Sequence, residues 1–340
     1  MKRRLIVLFD GTWNTSEDRT NVELMRGALV KQGADGVPQL WWYDQGPGTY
    51  WYDRIRGGVF GFGVSKNIQQ GYRWLATEWR EADENEFYVF GFSRGAYTAR
   101  SLVGLIRKCG LLKQPDKELI EQAYDLYRKK DLSPDSAEAI AFRAAHSREI
   151  RVKFIGVWDT VGSLGVPLTG ALIPFGRDRY QFHDAELSKI VDYAYHAVAT
   201  DENRKDYDAT VWTKRKPENK DVEQRWFIGA HSNVGGGYQY DRLHNIPLRW
   251  LQEKAAATGL VLKELRHVEP NDYRAALKDS YGDFMWGLYK AAKFGKRHYR
   301  PFGAGVSETV DDSVWRRWKD FADYRPPSLL DEARKRGLLS

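Results

Sequence analysis

The chain has 340 residues, 42% apolar and 14% aromatic, with a formal net charge of +7. That composition can build a sizeable core and excludes an intrinsically disordered chain. No run approaches the roughly 18 apolar residues needed to span a bilayer, and the lone cysteine, Cys109, excludes an internal disulfide and fits a reducing compartment.

Residues 5–9 are an unbroken apolar run, the pattern of a strand covered on both faces. The run stops at Asp10, too short for a signal-peptide core. The expectation is a soluble cytoplasmic protein outside the general secretory route, with signal-independent export left open. Further strands are expected at 39–43, 87–90, 152–158, 193–199 and 225–229, and helical patterns at 67–80, 96–106, 117–129 and 136–145. This alternation predicts an α/β fold with a mostly parallel central sheet, right-handed crossovers and helices on both faces. Residues 57–63 and 164–176 read as apolar, glycine-interrupted loops, either lids or buried connections. Beyond about residue 260 strand signals fade, and 260–340 is expected to wrap the core as helices and loops within one domain spanning 1–340. Most of the 13 tryptophans, the clusters Trp41-Trp42, Trp51 and Trp315 with Trp318 included, read as core or groove lining.

The positive charges are dispersed among acids, and no helix-turn-helix, zinc-finger or ribonucleoprotein signature appears, so nucleic acid is not an expected partner. The densest basic stretch, 290–300, reads as a solvated face. A basic surface also suits an anionic membrane, which leaves peripheral membrane contact open. Oligomeric state is not legible.

Open parallel sheets bind ligands beyond the carboxyl ends of their strands, and the chemistry-capable residues gather there. Asp10-Gly11-Thr12-Trp13-Asn14, Ser93, Asp159-Thr160, Thr200-Asp201-Glu202 and Ala230-His231-Ser232-Asn233 each follow a predicted strand. Gly91-Phe92-Ser93-Arg94-Gly95 lies between a strand and a helix, the setting of the α/β-hydrolase nucleophile elbow. Gly91 and Gly95 are needed because a Cβ at either would strike the neighbouring strand or helix.

A serine hydroxyl needs a base in hydrogen-bond reach, and the base needs a carboxylate to fix its tautomer. Of the seven histidines, only His231 directly follows a predicted strand. His146, His183, His244 and His267 lie in helical or polar-loop segments, His196 is inside a strand, and His298 is in the basic late region. Asp159 and Asp201 both end strands before His231, and residue pattern alone leaves the acid open between them. A surface ion pair in Asp201-Glu202-Asn203-Arg204 would explain the second. Expected oxyanion donors are the Arg94 N–H, next to the nucleophile, and the backbone at Gly11 and Thr12, with Asp10 and Asn14 bracing that loop. The first strand lacks the glycine fingerprint of a dinucleotide site. His231 has no partner at zinc spacing, so no metal or cofactor is expected. The alternative to an enzyme is a catalytically silent scaffold that binds a partner protein or an anionic membrane surface.

The segments Phe9–Asn14, Gly91–Tyr97, Val157–Gly162 and Gly229–Tyr238, in that order, resemble the catalytic domain of type VI secretion phospholipase effectors, the first class of type VI lipase effectors. The resemblance covers nearly the whole chain, to Tyr324-Arg325-Pro326-Pro327. It implies an α/β-hydrolase-like fold, a Ser93–His231–Asp159 triad, and hydrolysis of a carboxylic ester of a lipid or phospholipid through an acyl-enzyme. One departure is Asn233, where the family pattern places an aspartate.

Overall fold

A computed structural model describes residues 1–11, 19–46, 59–162, 185–283 and 295–339. Its centre is a seven-stranded sheet in which every neighbouring pair is parallel. In spatial order the strands are β2 (Gln39–Asp44), β1 (Lys2–Phe9), β3 (Glu84–Phe92), β6 (Val152–Trp158), β7 (Val191–Ala199), β8 (Asp221–Phe227) and β9 (Glu308–Val310). Two-residue strands, β4 (Leu111–Leu112) and β5 (Ser147–Arg148), form a separate antiparallel pair. The six expected strands are present. The three-residue β9 was not anticipated, because so short an edge strand carries no periodicity to read.

Both faces are buried, which is why the strand sequences are apolar without alternation. Leu5, Val7 and Phe9 face one core cluster, while Ile6 and Leu8 face another. The first cluster is closed by α2 (Val59–Glu78), α3 (Arg94–Cys109) and α4 (Lys117–Arg128). The second is closed by α1 (Asn21–Ala28) and α7 (Asn245–Ala257), two helices not singled out from the sequence. Helix α5 (Ala137–His146) matches its expected position. Helix α2 begins at Val59, eight residues before the expected start, so residues 59–63 are helical rather than loop. Residues 57–58 and 164–176, together with Trp51, lie outside the described residues.

The late region packs onto the far edge of the sheet. Val314, Trp315 and Trp318, from a helix spanning Asp312–Asp320 (α8), join Val198, Trp226 and Leu329 in a third cluster. Cys109 is fully buried, and burial pushes its thiol up to about 12, which leaves it inert as a nucleophile. No helix among the described residues is long and apolar enough to cross a membrane.

Candidate active site

The site begins with backbone strain. Ser93 is the single residue between β3 and α3, at φ 59° and ψ −122°, a conformation that non-glycine residues rarely adopt. The flanking glycines make the turn possible. A Cβ on Gly91 would lie 2.4 Å from the Gly95 carbonyl oxygen, and one on Gly95 would lie 2.2 Å from that of Phe9. The elbow therefore presses α3 against β1, and Ser93 sits at the positive end of a 16-residue helix.

His231 opens a one-turn helix, α6 (His231–Gly235), four residues past the end of β8. Its Nε2 lies 2.8 Å from Ser93 Oγ, and its Nδ1 lies 2.6 Å from Asp159 Oδ2. The Phe92 ring packs 4.7 Å from the imidazole, and Tyr207 meets it edge-on at 5.2 Å. Gly235 leaves room for Phe92, since a Cβ there would come within 1.9 Å of that ring. Asn233, the departure from the family pattern, accepts the Ala230 N–H and donates to Asp241 Oδ2, so it braces the turn that carries His231.

Asp159 is the residue just past β6, at φ 40° and with no exposed surface. Besides His231, it accepts the Ala199 N–H on Oδ1 at 2.8 Å. It also accepts two nitrogens of Arg300, at 2.6 Å on Oδ1 and 3.0 Å on Oδ2. Burial alone would raise this carboxyl; the Arg300 cation, then His231, outweigh it and hold it well below the usual carboxylate range. Burial lowers the His231 imidazole from its ordinary value, and the Asp159 hydrogen bond opposes the shift. At neutral pH the two effects leave an ionised acid beside a neutral base.

Asp201, the other candidate acid, does not meet the imidazole. Its Oδ2 accepts the Gly229 N–H at 2.7 Å and the Tyr324 hydroxyl at 3.0 Å, and burial pushes it up to about 6. The surface ion pair expected to explain Asp201 gives way to these two bonds; the ion pair in that segment joins Glu202 to Arg204 and is buried. Glu202 Oε2 also accepts the His231 N–H at 3.2 Å and the Ser280 hydroxyl at 3.0 Å.

Of the expected oxyanion donors, the Arg94 N–H lies in the first turn of α3 beside Ser93. Gly11 comes close, since a Cβ on it would lie 3.5 Å from Ser93 Cβ. Its N–H, however, donates to Asp10 Oδ1 at 2.7 Å, which corrects its expected role as a donor. Asp10 accepts the Thr20 and Tyr43 hydroxyls at 2.7 Å each, and burial pushes its carboxyl up to about 6. Thr12 and Asn14 lie outside the described residues. Among the described residues, no group of three His, Cys, Asp or Glu is arranged to hold a metal ion.

Three contributors escaped the sequence reading. Arg300 was placed in a solvated basic run, yet it is 1% exposed and bonded to Asp159. The Tyr207 ring lies against the imidazole and beneath the Arg204 guanidinium, 3.6 Å away. His196 was read only as packed; it accepts the Thr160 N–H at 3.0 Å, and burial lowers it to about 3, so it stays neutral behind Asp159. Glu202, by contrast, was marked in the sequence by its place three residues past β7.

A parallel sheet with a serine elbow at its carboxyl edge is the architecture of an α/β-hydrolase, the class to which esterases and lipases belong. Within that class, the chain belongs to the family of Tle1-like type VI secretion phospholipase effectors, whose catalytic-domain model matches residues 3–254. A curated relative, the uncharacterized protein YEL023C of Saccharomyces cerevisiae, is 27% identical over 226 residues, 59% of this chain and 31% of the relative. The chain thus spans about a third of that relative's length. Among solved structures, an uncharacterized protein from Pseudomonas aeruginosa is similar at 15% identity and a TM-score of 0.45, over 85% of this chain and 50% of that one. The Tle1 effector bound to the VgrG spike of the type VI secretion system is similar at 13% identity and a TM-score of 0.45, over 88% and 81%.

Proposed function

We propose that the protein is a serine hydrolase that cleaves carboxylic esters of lipids, phospholipid acyl esters above all. The observation that carries this reading is the unbroken chain of contacts from Ser93 Oγ through His231 to Asp159, at 2.8 and 2.6 Å. Ser93 Oγ attacks the ester carbonyl while its proton passes to His231 Nε2. Asp159 accepts from Nδ1–H throughout, which keeps the receiving lone pair on Nε2 and stabilises the imidazolium. The tetrahedral oxyanion is stabilised by the Arg94 N–H and the positive end of α3. Collapse expels the alcohol, which takes the proton from Nε2. Water, deprotonated by His231, then attacks the acyl-enzyme, releasing the carboxylic acid and returning the proton to Ser93. The family supports a phospholipid as substrate, and the net positive charge suits an anionic bilayer surface.

Covalent labelling by a fluorophosphonate probe, alongside hydrolysis of p-nitrophenyl esters of rising chain length and of phospholipid vesicles, tests the proposal. Labelling should vanish in Ser93→Ala and turnover should fall by about 10⁴-fold or more in Ser93→Ala and His231→Ala. Folded wild-type protein that takes no label and cleaves no ester would defeat it. A short-chain optimum with inert vesicles would replace a lipid with a small ester as substrate.

A further inference from the structure

Arg300 reaches the site from outside every recognisable motif. Its Nη1 donates to Asp159 Oδ1 at 2.6 Å and to the Ala199 carbonyl at 2.9 Å. Its Nη2 donates to Asp159 Oδ2 at 3.0 Å and to the Tyr207 carbonyl. Both carboxylate oxygens are therefore clamped by one planar fork, itself anchored to the end of β7 and to the short helical turn Lys205–Tyr207. The carboxylate cannot rotate without breaking a charge-assisted bond, so Oδ2 stays aimed at His231 Nδ1.

The same fork alters the charge balance around the imidazole. Asp159 and Glu202 contribute negative charge there, and Arg300 and Arg204 contribute positive charge. Among the described residues, the neutral groups around it are Ser93, Phe92, Tyr207 and, behind Asp159, His196. Tyr238 and Asp208 act from farther out, on Arg204 and Arg300 respectively. Two buried acids balance two buried guanidiniums, so a proton added to His231 leaves the cluster with an uncompensated positive charge.

Resting on the triad reading, we propose that Arg300 is a positioning residue acting through Asp159. It locks the carboxylate against His231, and its charge offsets part of the carboxylate's pull on the imidazole. His231 then reaches its proton-accepting form at lower pH than the Asp159–His231 pair alone would allow. Without the Arg300 charge, the pair takes up its proton at higher pH, whichever of the two groups holds it. The structure thus assigns this site a reach into mildly acidic conditions.

The pH dependence of fluorophosphonate labelling tests this without knowledge of the substrate. Ser93 Oγ forms a bond to phosphorus, fluoride leaves, and the hydroxyl proton passes to His231 Nε2, so the rate follows the neutral imidazole. The wild-type acid limb should lie below the ordinary histidine value of about 6.5. In Arg300→Gln, which keeps a donor but loses the charge, the limb should move up by about one pH unit. Arg300→Lys keeps the charge and loses the fork, so its limb should stay with wild type while its plateau rate falls about tenfold. A wild-type limb at or above the ordinary value overturns the inference. So does an Arg300→Gln profile that only drops in height, the mark of a merely structural arginine. If Arg300→Gln does not fold, the wild-type limb and the Arg300→Lys plateau decide. Labelling with an unmoved limb removes only this inference, whereas no Ser93-dependent labelling removes the triad reading and this inference with it.

Discussion

Asp159→Asn tests both the chemistry and the packing of the site. Four donors converge on the two carboxylate oxygens: His231 Nδ1, two nitrogens of Arg300 and the Ala199 N–H. An asparagine has one acceptor oxygen, so its amide NH₂ must face at least two of those donors. If it faces His231, Nδ1 becomes the acceptor, the proton moves to Nε2, and the imidazole can no longer receive the Ser93 proton. Turnover should then fall by about 10⁴-fold, the loss typical of a triad carboxylate replaced by its amide. In either orientation Arg300 keeps a full charge at 1% exposure with no carboxylate against it. Breaking a buried pair on one side costs about 3–5 kcal/mol. The pH dependence has a definite sign. Because the Asp159 carboxyl is held low in the folded state, its stabilisation is present above the unfolded value of about 4 and is lost as pH falls through the folded one. Urea denaturation at pH 7 should show the deficit, and the gap between variant and wild type should narrow in acid. A variant of wild-type stability that labels within tenfold of the wild-type rate would refute the reasoning.

Other expected outcomes follow from neighbouring positions. Asp201→Asn should leave labelling near wild type, since Asp201 binds Gly229 and Tyr324 rather than His231. Its raised carboxyl makes wild-type stability decline between about pH 4 and pH 6. Removing that ionisation from a half-buried site should stabilise the variant at pH 7 by about 1–2 kcal/mol, with no gain below pH 4; an unchanged pH profile would contradict the assigned burial effect. Ser93→Gly should be more stable than Ser93→Ala by about 1 kcal/mol, because only glycine relieves the positive φ at the elbow. Equal denaturation midpoints would mean that the turn stores no strain. Gly95→Ala puts a methyl group 2.2 Å from the Phe9 carbonyl oxygen and should cost at least about 1–3 kcal/mol while separating α3 from β1; wild-type melting and labelling together would show that the elbow tolerates a Cβ.

Much of this protein is written locally in its sequence. Burial on both faces produces unbroken apolar strands, and 5–9 or 152–158 can be recognised from that alone. The elbow is local in part: glycine at 91 is required by Gly95 and Ala96 within the same turn, whereas glycine at 95 is required by the Phe9 carbonyl of the distant strand β1. His231 was marked by its place after a strand. Choosing Asp159 over Asp201 from residue pattern was out of reach: both end adjacent strands, and only the twist of the sheet and the path of each loop decide which carboxylate meets the imidazole. Arg300 shows the same limit most clearly. It is 141 residues from Asp159 in the chain and lies in a basic stretch that reads as solvated. What makes it part of the site is the folding of the late region onto the sheet edge, where desolvation turns an ordinary arginine into the counter-charge of a buried acid. Short-range sterics and periodicity can be read along a chain; the pairing of buried charges exists only once distant segments meet.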